Sequence, residues 1–263
     1  MTSSAPYLAR IDLYPVKSLD GVSVSQAEIA PGGSLQRDRT FALFDAQGEF
    51  VNGKRHRAIH QLRSHFSGDG RHITLAVQDR PETETFALQV PSPELETWLS
   101  DYFQQSVTLQ ENRHWGFPDD TNSPGPTVVS TATLEAVAAW YEDLSVEEVR
   151  RRFRSNLEIG GVPAFWEDQL FGEAGETVAF QVGAVTLWGV NPCQRCIVPT
   201  RDTLTGEATA GFQKVFSKQR EAALSPEASR SHFNHFYRLA VNTRLPAAEV
   251  GKTVRVGDVV TRL

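Results

Sequence analysis

The chain has 263 residues, 40% hydrophobic and 22% charged, which is enough for one large domain or two small ones and excludes disorder over most of its length. A net charge of −6 excludes a global field drawing the protein onto nucleic acid or an anionic membrane, although local basic clusters can still hold small anions. No apolar run approaches the roughly 18 residues of a membrane span, the N-terminus lacks a basic-then-apolar leader, and two cysteines make no disulfide framework. The expected compartment is therefore cytoplasmic, with no membrane and no nucleic-acid partner.

In the first hundred residues the apolar stretches are short and punctuated by Gly and Asp. Residues 8–16, 22–30, 40–51, 72–79 and 85–90 read as strands by β-branched content and partial alternation. The turn at 45–48 predicts a hairpin. In 91–103 apolar residues at 95, 98, 99, 102 and 103 predict a helix with Ser92 at the N-cap and Pro93 at N1. The Pro/Gly-rich loop NRHWGFPDDTNSPGP (112–126) marks a domain boundary, giving modules 1–112 and 113–263. Beyond it come a short strand at 126–130 and a helix over 131–143, capped by Ser130 or Thr131. A second helix over 145–156 opens with a capping box, Ser145 and Glu148. Strands follow at 178–190 and 252–263, with a helical piece near 212–224 and an aromatic, basic segment at 229–245 between them. The fold class expected is α+β and β-rich, with strands closing into barrels.

The chemistry-bearing pieces are few. NPCQRCIVPTRDTLTG (191–206) holds both cysteines, Cys193 and Cys196. A redox C-x-x-C wants a helix to follow, but here a proline comes three residues later. A structural zinc site wants four ligands, and the only histidine pairs at suitable spacing, 56/60 and 60/65, lie in the other half. A thiolate ligand for a soft metal and a pair of small buried hydrophobes both stay open. Arg195 and Arg201 nearby favour a thiolate and can fork onto phosphate. Lys17 and Ser18, at a strand end before a turn, suit either an anion contact or a solvated surface. Arg37, Asp38 and Arg39 alternate as surface salt-bridge groups do, Arg39 being the better ligand candidate. RRRFRSN (150–156) is the strongest basic cluster, yet acidic residues precede it, so a local anion site fits better than nucleic acid. Dinucleotide, P-loop and nucleophile-elbow motifs do not occur. Several basic or hydroxyl-rich segments and one thiol together point to an extended phosphate-bearing ligand with a metal at one end.

These segments, in this order, resemble the MOSC family, named for the C-terminal domain of molybdenum cofactor sulfurases. YPVKSLDGVSVSQAEIAPGGSLQRDRTFALFD resembles the N-terminal β-barrel module that precedes many MOSC domains, and FRSNLEIGG with NPCQRCIVPTRDTLTG resembles the signatures of the MOSC domain itself. Among family members the likeness is to the mitochondrial amidoxime-reducing component and its bacterial counterparts, which reduce N-hydroxylated compounds. The resemblance implies an N-terminal β-barrel module, a MOSC β-barrel with peripheral helices, and a molybdenum–molybdopterin cofactor between them. It implies Cys196 as the metal ligand and Lys17, Ser18, Arg39, Ser123, Arg154, Asn156 and Arg195 as cofactor contacts. Asp202 is implied to lie near the metal and to position substrate or handle protons. A family tyrosine near the C-terminal end corresponds here to Phe236, with Tyr237 adjacent but pointing the opposite way on a strand. With no cysteines beyond 193 and 196, no iron–sulfur cluster is expected in this chain, and electrons would come from a separate iron–sulfur or flavin protein. The implied substrate is a small N-hydroxylated molecule; the alternative role is a cofactor carrier or sulfur-handling protein.

Overall fold

The computed structural model describes residues 5–263. In chain order the strands of the first half are β1 (Tyr7–Leu13), β2 (Val22–Val24), β3 (Gln26–Glu28), β4 (Phe41–Asp45), β5 (Leu62–Phe66), β6 (His72–Val77), β7 (Thr83–Ala87) and β8 (Val107–Glu111), with helix α1 (Pro93–Phe103) before the last. The second half has β9 (Val128–Ser130), α2 (Thr131–Ala138), α3 (Val146–Phe153), β10 (Leu157–Gly160), β11 (Val178–Val182) and β12 (Val185–Gln194). It ends with α4 (Phe212–Ala222), β13 (Arg238–Arg244), β14 (Thr253–Arg255) and β15 (Val260–Arg262). The β-rich α+β class follows as expected. No helix among the described residues is long and apolar enough to cross a membrane.

The main sheet has eight strands in the order β15-β11-β12-β13-β9-β10-β1-β2. It closes into a barrel because the start of β1 also bonds the segment before β15: Leu8 N–H donates to the Asp258 carbonyl at 2.8 Å, and Val260 N–H to that of Pro6 at 2.8 Å. In β1 the buried residues are Leu8, Ile11, Asp12 and Leu13, which breaks strict alternation. A register shift between Leu8 and Arg10 explains it, since one extra residue flips which face is inward. The barrel interior is apolar, with Leu8, Ile11, Val128, Leu157, Ile159, Phe180, Leu187 and Val241 in one cluster. The first strand of the chain thus belongs to the same sheet as β10, on the far side of the 112/113 boundary.

A second core gathers β4, the β5-β6-β7 meander, α1 and β8 around Leu43, Leu62, Ile73, Leu75, Leu95 and Leu99. A third lies between the barrel and α2, α3 and α4, built on Val149, Phe153, Phe212, Phe216 and Tyr237. Several boundaries move from the sequence reading. The single strand expected over 22–30 breaks at Ser25, so β2 pairs β1 while β3 crosses to pair β14. The 45–48 turn forms, with Gly48 N–H donating to the Asp45 carbonyl at 3.0 Å, but its return arm is only a bridge at Phe50. Ser130 caps α2 by accepting from Thr133 N–H at 3.1 Å. Ser145 caps α3 through Glu148 N–H at 3.1 Å. The reciprocal half of the capping box is missing, because the Glu148 carboxylate turns to Arg152 and Thr203 instead.

Candidate functional site

Between the meander module and the barrel lies a cavity of about 960 Å³ whose walls come from both halves of the chain. Eleven Arg and Lys side chains line it against six Asp and Glu, although the whole chain carries 26 basic residues against 32 acidic. This local reversal of charge makes the cavity basic within an acidic protein. Lys17, Ser18, Arg39, Ser123, Arg154, Asn156, Arg195 and Cys196 all line it, as does Cys193. Residues more than 170 positions apart in sequence therefore face one space.

The backbone is unusual where it presents these side chains. Ser18 (φ 74°), Arg39 (φ 50°) and Arg154 (φ 54°) are non-glycine residues in the left-handed region, a costly conformation that persists where packing over-determines it. Arg154 is the C-cap of α3, so the helix ends by turning this guanidinium toward the cavity. At Gly125 the chain after Ser123 runs against Thr243, and any Cβ there would collide with the Thr243 backbone. That close approach holds Ser123 against the wall.

The cluster 150–154 resolves into different roles. Arg150 pairs Glu158 at 2.7 Å and Glu147 at 2.6 Å, and Arg152 pairs Glu148 at 2.8 Å. Arg151 reaches Glu147 at 3.5 Å. The Arg154 side chain has no hydrogen bond or ion pair among the described residues: its guanidinium lies 4.1 Å from the Tyr14 ring centroid, and Nη2 is buried without a partner. Burial lowers its affinity for a proton, the Tyr14 hydroxyl works the other way, and Arg39 adds to the lowering. A bound anion would answer both the missing hydrogen bonds and the missing countercharge. Ser123 Oγ is likewise buried without a partner.

The other expected contacts are more committed. Arg39 forms an ion pair with Asp38, also touches Asn156 Oδ1, and lies 5.0 Å from the Tyr14 ring centroid. This Arg-Asp pair is buried rather than the surface group its alternation suggested, with side chains 13% and 8% exposed. Lys17 Nζ donates to the Phe117 carbonyl at 2.9 Å and pairs Asp119 at 2.7 Å. Burial would raise the Asp119 carboxyl, but Lys17 and Arg39 outweigh it and hold it well below the usual carboxylate range. Asn156 is a structural joint: Nδ2 donates to the Asp12 carbonyl at 3.0 Å, while Oδ1 accepts from Thr127 N–H at 3.2 Å. Arg195 donates to the Leu239 carbonyl at 2.7 and 3.0 Å and to that of Phe153 at 3.0 Å, so it clamps β13 to the end of α3.

The cysteines differ sharply. Both are free thiols. Cys193 is buried, donates to Asn242 Oδ1 at 2.8 Å, and is pushed up to about 11 by burial, the nearby Asp120 acting in the same direction against Arg195. Its thiol is committed as a hydrogen-bond donor to Asn242. Cys196 is partly exposed on the cavity wall, with no hydrogen bond fixing its sulfur.

Asp202 lies beside the cavity, next to Thr203 and Leu204 of its wall; its carboxylate accepts from Leu204 N–H at 3.0 Å, Thr205 N–H at 2.8 Å and the Thr205 hydroxyl at 3.0 Å, holding the turn that follows. Burial would raise its carboxyl, but these bonds outweigh it and hold it below the usual carboxylate range. Arg201 is also spent locally, donating to the Gly206 carbonyl at 3.0 Å. Phe236 stacks on Phe233 and Tyr237 packs on Phe216 in the helical core, and neither lines the cavity. Sequence reading missed Asp38, Asp119, Asp120, Asn191 and Asn242, all of which do. The acids at 119–120 sit in a Pro-Asp-Asp turn, where carboxylates ordinarily cap loop amides, so nothing local marked them.

The family model for the MOSC N-terminal beta barrel domain matches residues 5–144, and that for the MOSC domain matches residues 126–261. A molybdenum cofactor sulfurase of Caenorhabditis briggsae is 23% identical over 227 residues, covering 78% of this chain and 30% of that protein. Its counterpart in Caenorhabditis elegans is 22% identical with the same coverage. The chain spans about 30% of the length of these curated relatives. Between them the two family models cover nearly all of the described residues, and the protein belongs to the MOSC-domain family, with the N-terminal barrel module that accompanies it.

Proposed function

We propose that this protein binds a molybdenum–molybdopterin cofactor in the cavity and reduces small N-hydroxylated compounds with electrons from a separate iron–sulfur or flavin protein. The observation that carries the reading is Arg154, a guanidinium on the wall of a basic cavity with a buried Nη2 and no partner, in the same cavity as the Cys196 thiol. The residues fit the group. Its phosphate would take Arg154, with Ser123 and Lys17 as further donors, and its metal would take the Cys196 sulfur, a soft ligand for a soft centre. When bound, the cofactor supplies two-electron redox chemistry at a single metal.

The chain's own residues bind, orient and shield. Arg154 and Arg39 share the Tyr14 ring, which fixes both guanidinium planes. Cys193 stays protonated and keeps Asn242 in place, leaving Cys196 as the thiolate ligand. Conversion of N–OH to N–H consumes two electrons and two protons and releases water. With Asp202 tied into its turn, those protons come from solvent.

The test is turnover of benzamidoxime by cofactor-loaded protein with reduced methyl viologen as donor. Product from wild type and none from Cys196→Ser supports the reductase. The sulfurase relatives favour a second reading, a carrier or sulfur-handling protein. Loaded wild type that turns nothing over, yet passes molybdenum to an apo-enzyme, would establish that one instead.

A further inference from the structure

Of the eleven Arg and Lys side chains on the cavity wall, seven are tied to carboxylates. Lys54, Arg154, Arg195 and Arg238 have no carboxylate partner among the described residues. Lys54 is exposed to water, Arg195 is held by the Leu239 and Phe153 carbonyls, and Arg154 serves the cofactor in the reading above. Arg238 is the one left with neither a countercharge nor a ligand.

Arg238 belongs to the aromatic, basic segment 229–245, which holds three arginines and no Asp or Glu. From that segment Ser231, His232, Asn234, Arg238 and Asn242 reach the cavity, so it brings no negative charge to the wall. The sheet fixes where Arg238 stands. On β13 it is the cross-strand partner of Gln194, the last residue of β12. The pairing runs on to Arg195, whose N–H donates to the Tyr237 carbonyl at 3.0 Å, and Cys196 is the next residue.

Two bonds aim the partly exposed guanidinium. Nη1 donates to the Pro192 carbonyl at 3.1 Å and Nη2 to Asn234 Oδ1 at 2.9 Å, while Nε is buried without a partner. One N–H on each Nη is therefore unspent, and Asn234, whose Oδ1 is the acceptor here, keeps its Nδ2 donors. A cation held only by neutral acceptors, with a fork of N–H groups left over, is complementary to a carboxylate. We propose that Arg238 and Asn234 form a subsite for a carboxylate carried by the substrate, so that N-hydroxylated compounds with an anionic group are preferred. This rests on the reductase reading above and adds the charge of what is reduced. Arg238 sets specificity in it and takes no part in the redox step.

The experiment measures kcat/KM for benzamidoxime and 4-carboxybenzamidoxime, with reduced methyl viologen and cofactor-loaded wild type, Arg238→Gln and Asn234→Asp. The readout is the ratio of the carboxylate substrate to the neutral one within each protein. Loss of fold or of cofactor lowers both values together and leaves the ratio alone. Arg238→Gln removes the cation and Asn234→Asp answers it with a carboxylate, so each is expected to lower the ratio about tenfold. The same ratio in all three proteins overturns the inference and leaves the reductase standing. So does a fall in Asn234→Asp alone, which repulsion of the anion produces without Arg238. No turnover of either substrate by loaded wild type removes the reductase reading, and this inference with it.

Discussion

Arg154 and Arg220 are both guanidiniums laid on aromatic rings, and they differ in what answers their charge. Arg220, on α4, lies over Phe165 and Phe233 and donates through Nη2 to both oxygens of Asp168, at 2.6 and 2.8 Å. Both partners of that pair are nearly solvent-free, with side chains 1% and 5% exposed. Arg154 lies over Tyr14 in the same manner, but no carboxylate or carbonyl meets it. One region answers its buried charge inside the fold; the other holds a partly buried guanidinium on a cavity wall with no countercharge among the described residues.

Breaking the structural half has the largest expected effect. Arg220→Met leaves Asp168 buried without its partner and lowers stability by about 3–5 kcal/mol in urea or guanidinium unfolding, with no change in anion affinity of the folded fraction. The same region also sets a pH dependence. Glu167 is buried, accepts from the Thr133 hydroxyl at 3.0 Å, and is raised from 4.5 to about 7 by burial, with Asp168 adding to the rise. The unfolded chain ionises this group near 4.5 while the folded chain keeps it neutral to about 7. Its stabilising contribution is fully present below pH 4.5 and is lost as pH rises through 7, a difference of about 3 kcal/mol. Glu167→Gln flattens that slope, which unfolding at pH 5, 6, 7 and 8 measures.

The ligand-facing half behaves oppositely. Arg154→Gln leaves apo stability unchanged or raises it by about 1 kcal/mol, since it removes an uncompensated charge. It weakens binding of inorganic phosphate or pyrophosphate by about tenfold in calorimetry. The smallest effect belongs to the cysteines. Cys193→Ala costs about 1 kcal/mol for its lost hydrogen bond. Iodoacetamide at pH 7.5 followed by peptide mapping labels Cys196 well before Cys193, whose thiol is buried and pushed up to about 11.

Some of this was legible in the sequence for local reasons. The helix over 93–103 follows from apolar spacing and Pro93, and the starts of α2 and α3 follow from Ser130 and Ser145. β5 was not legible, because Arg63, Ser64 and His65 interrupt its apolar ends. Barrels were expected, but which segments close them was not legible, since that depends on Pro6–Leu8 meeting 258–260 across the length of the chain. At the site, residue types and order located the cavity wall, including Lys17, Arg154 and Cys196. What the sequence conceals is commitment. Arg195 and Asn156 look like ligand contacts but satisfy backbone groups, and Asp202 serves a turn. Asp120 looks like a turn residue and is, among the described residues, the one cavity carboxylate without a cation.

The most direct measurement is the molybdenum content, by elemental mass spectrometry, of wild type and Cys196→Ala purified from cofactor-competent cells. The account predicts near-stoichiometric metal in wild type and little or readily dialysed metal in the variant. Molybdenum in neither protein, beside a loaded control from the same cells, would contradict it and leave a basic cavity built for some other anion.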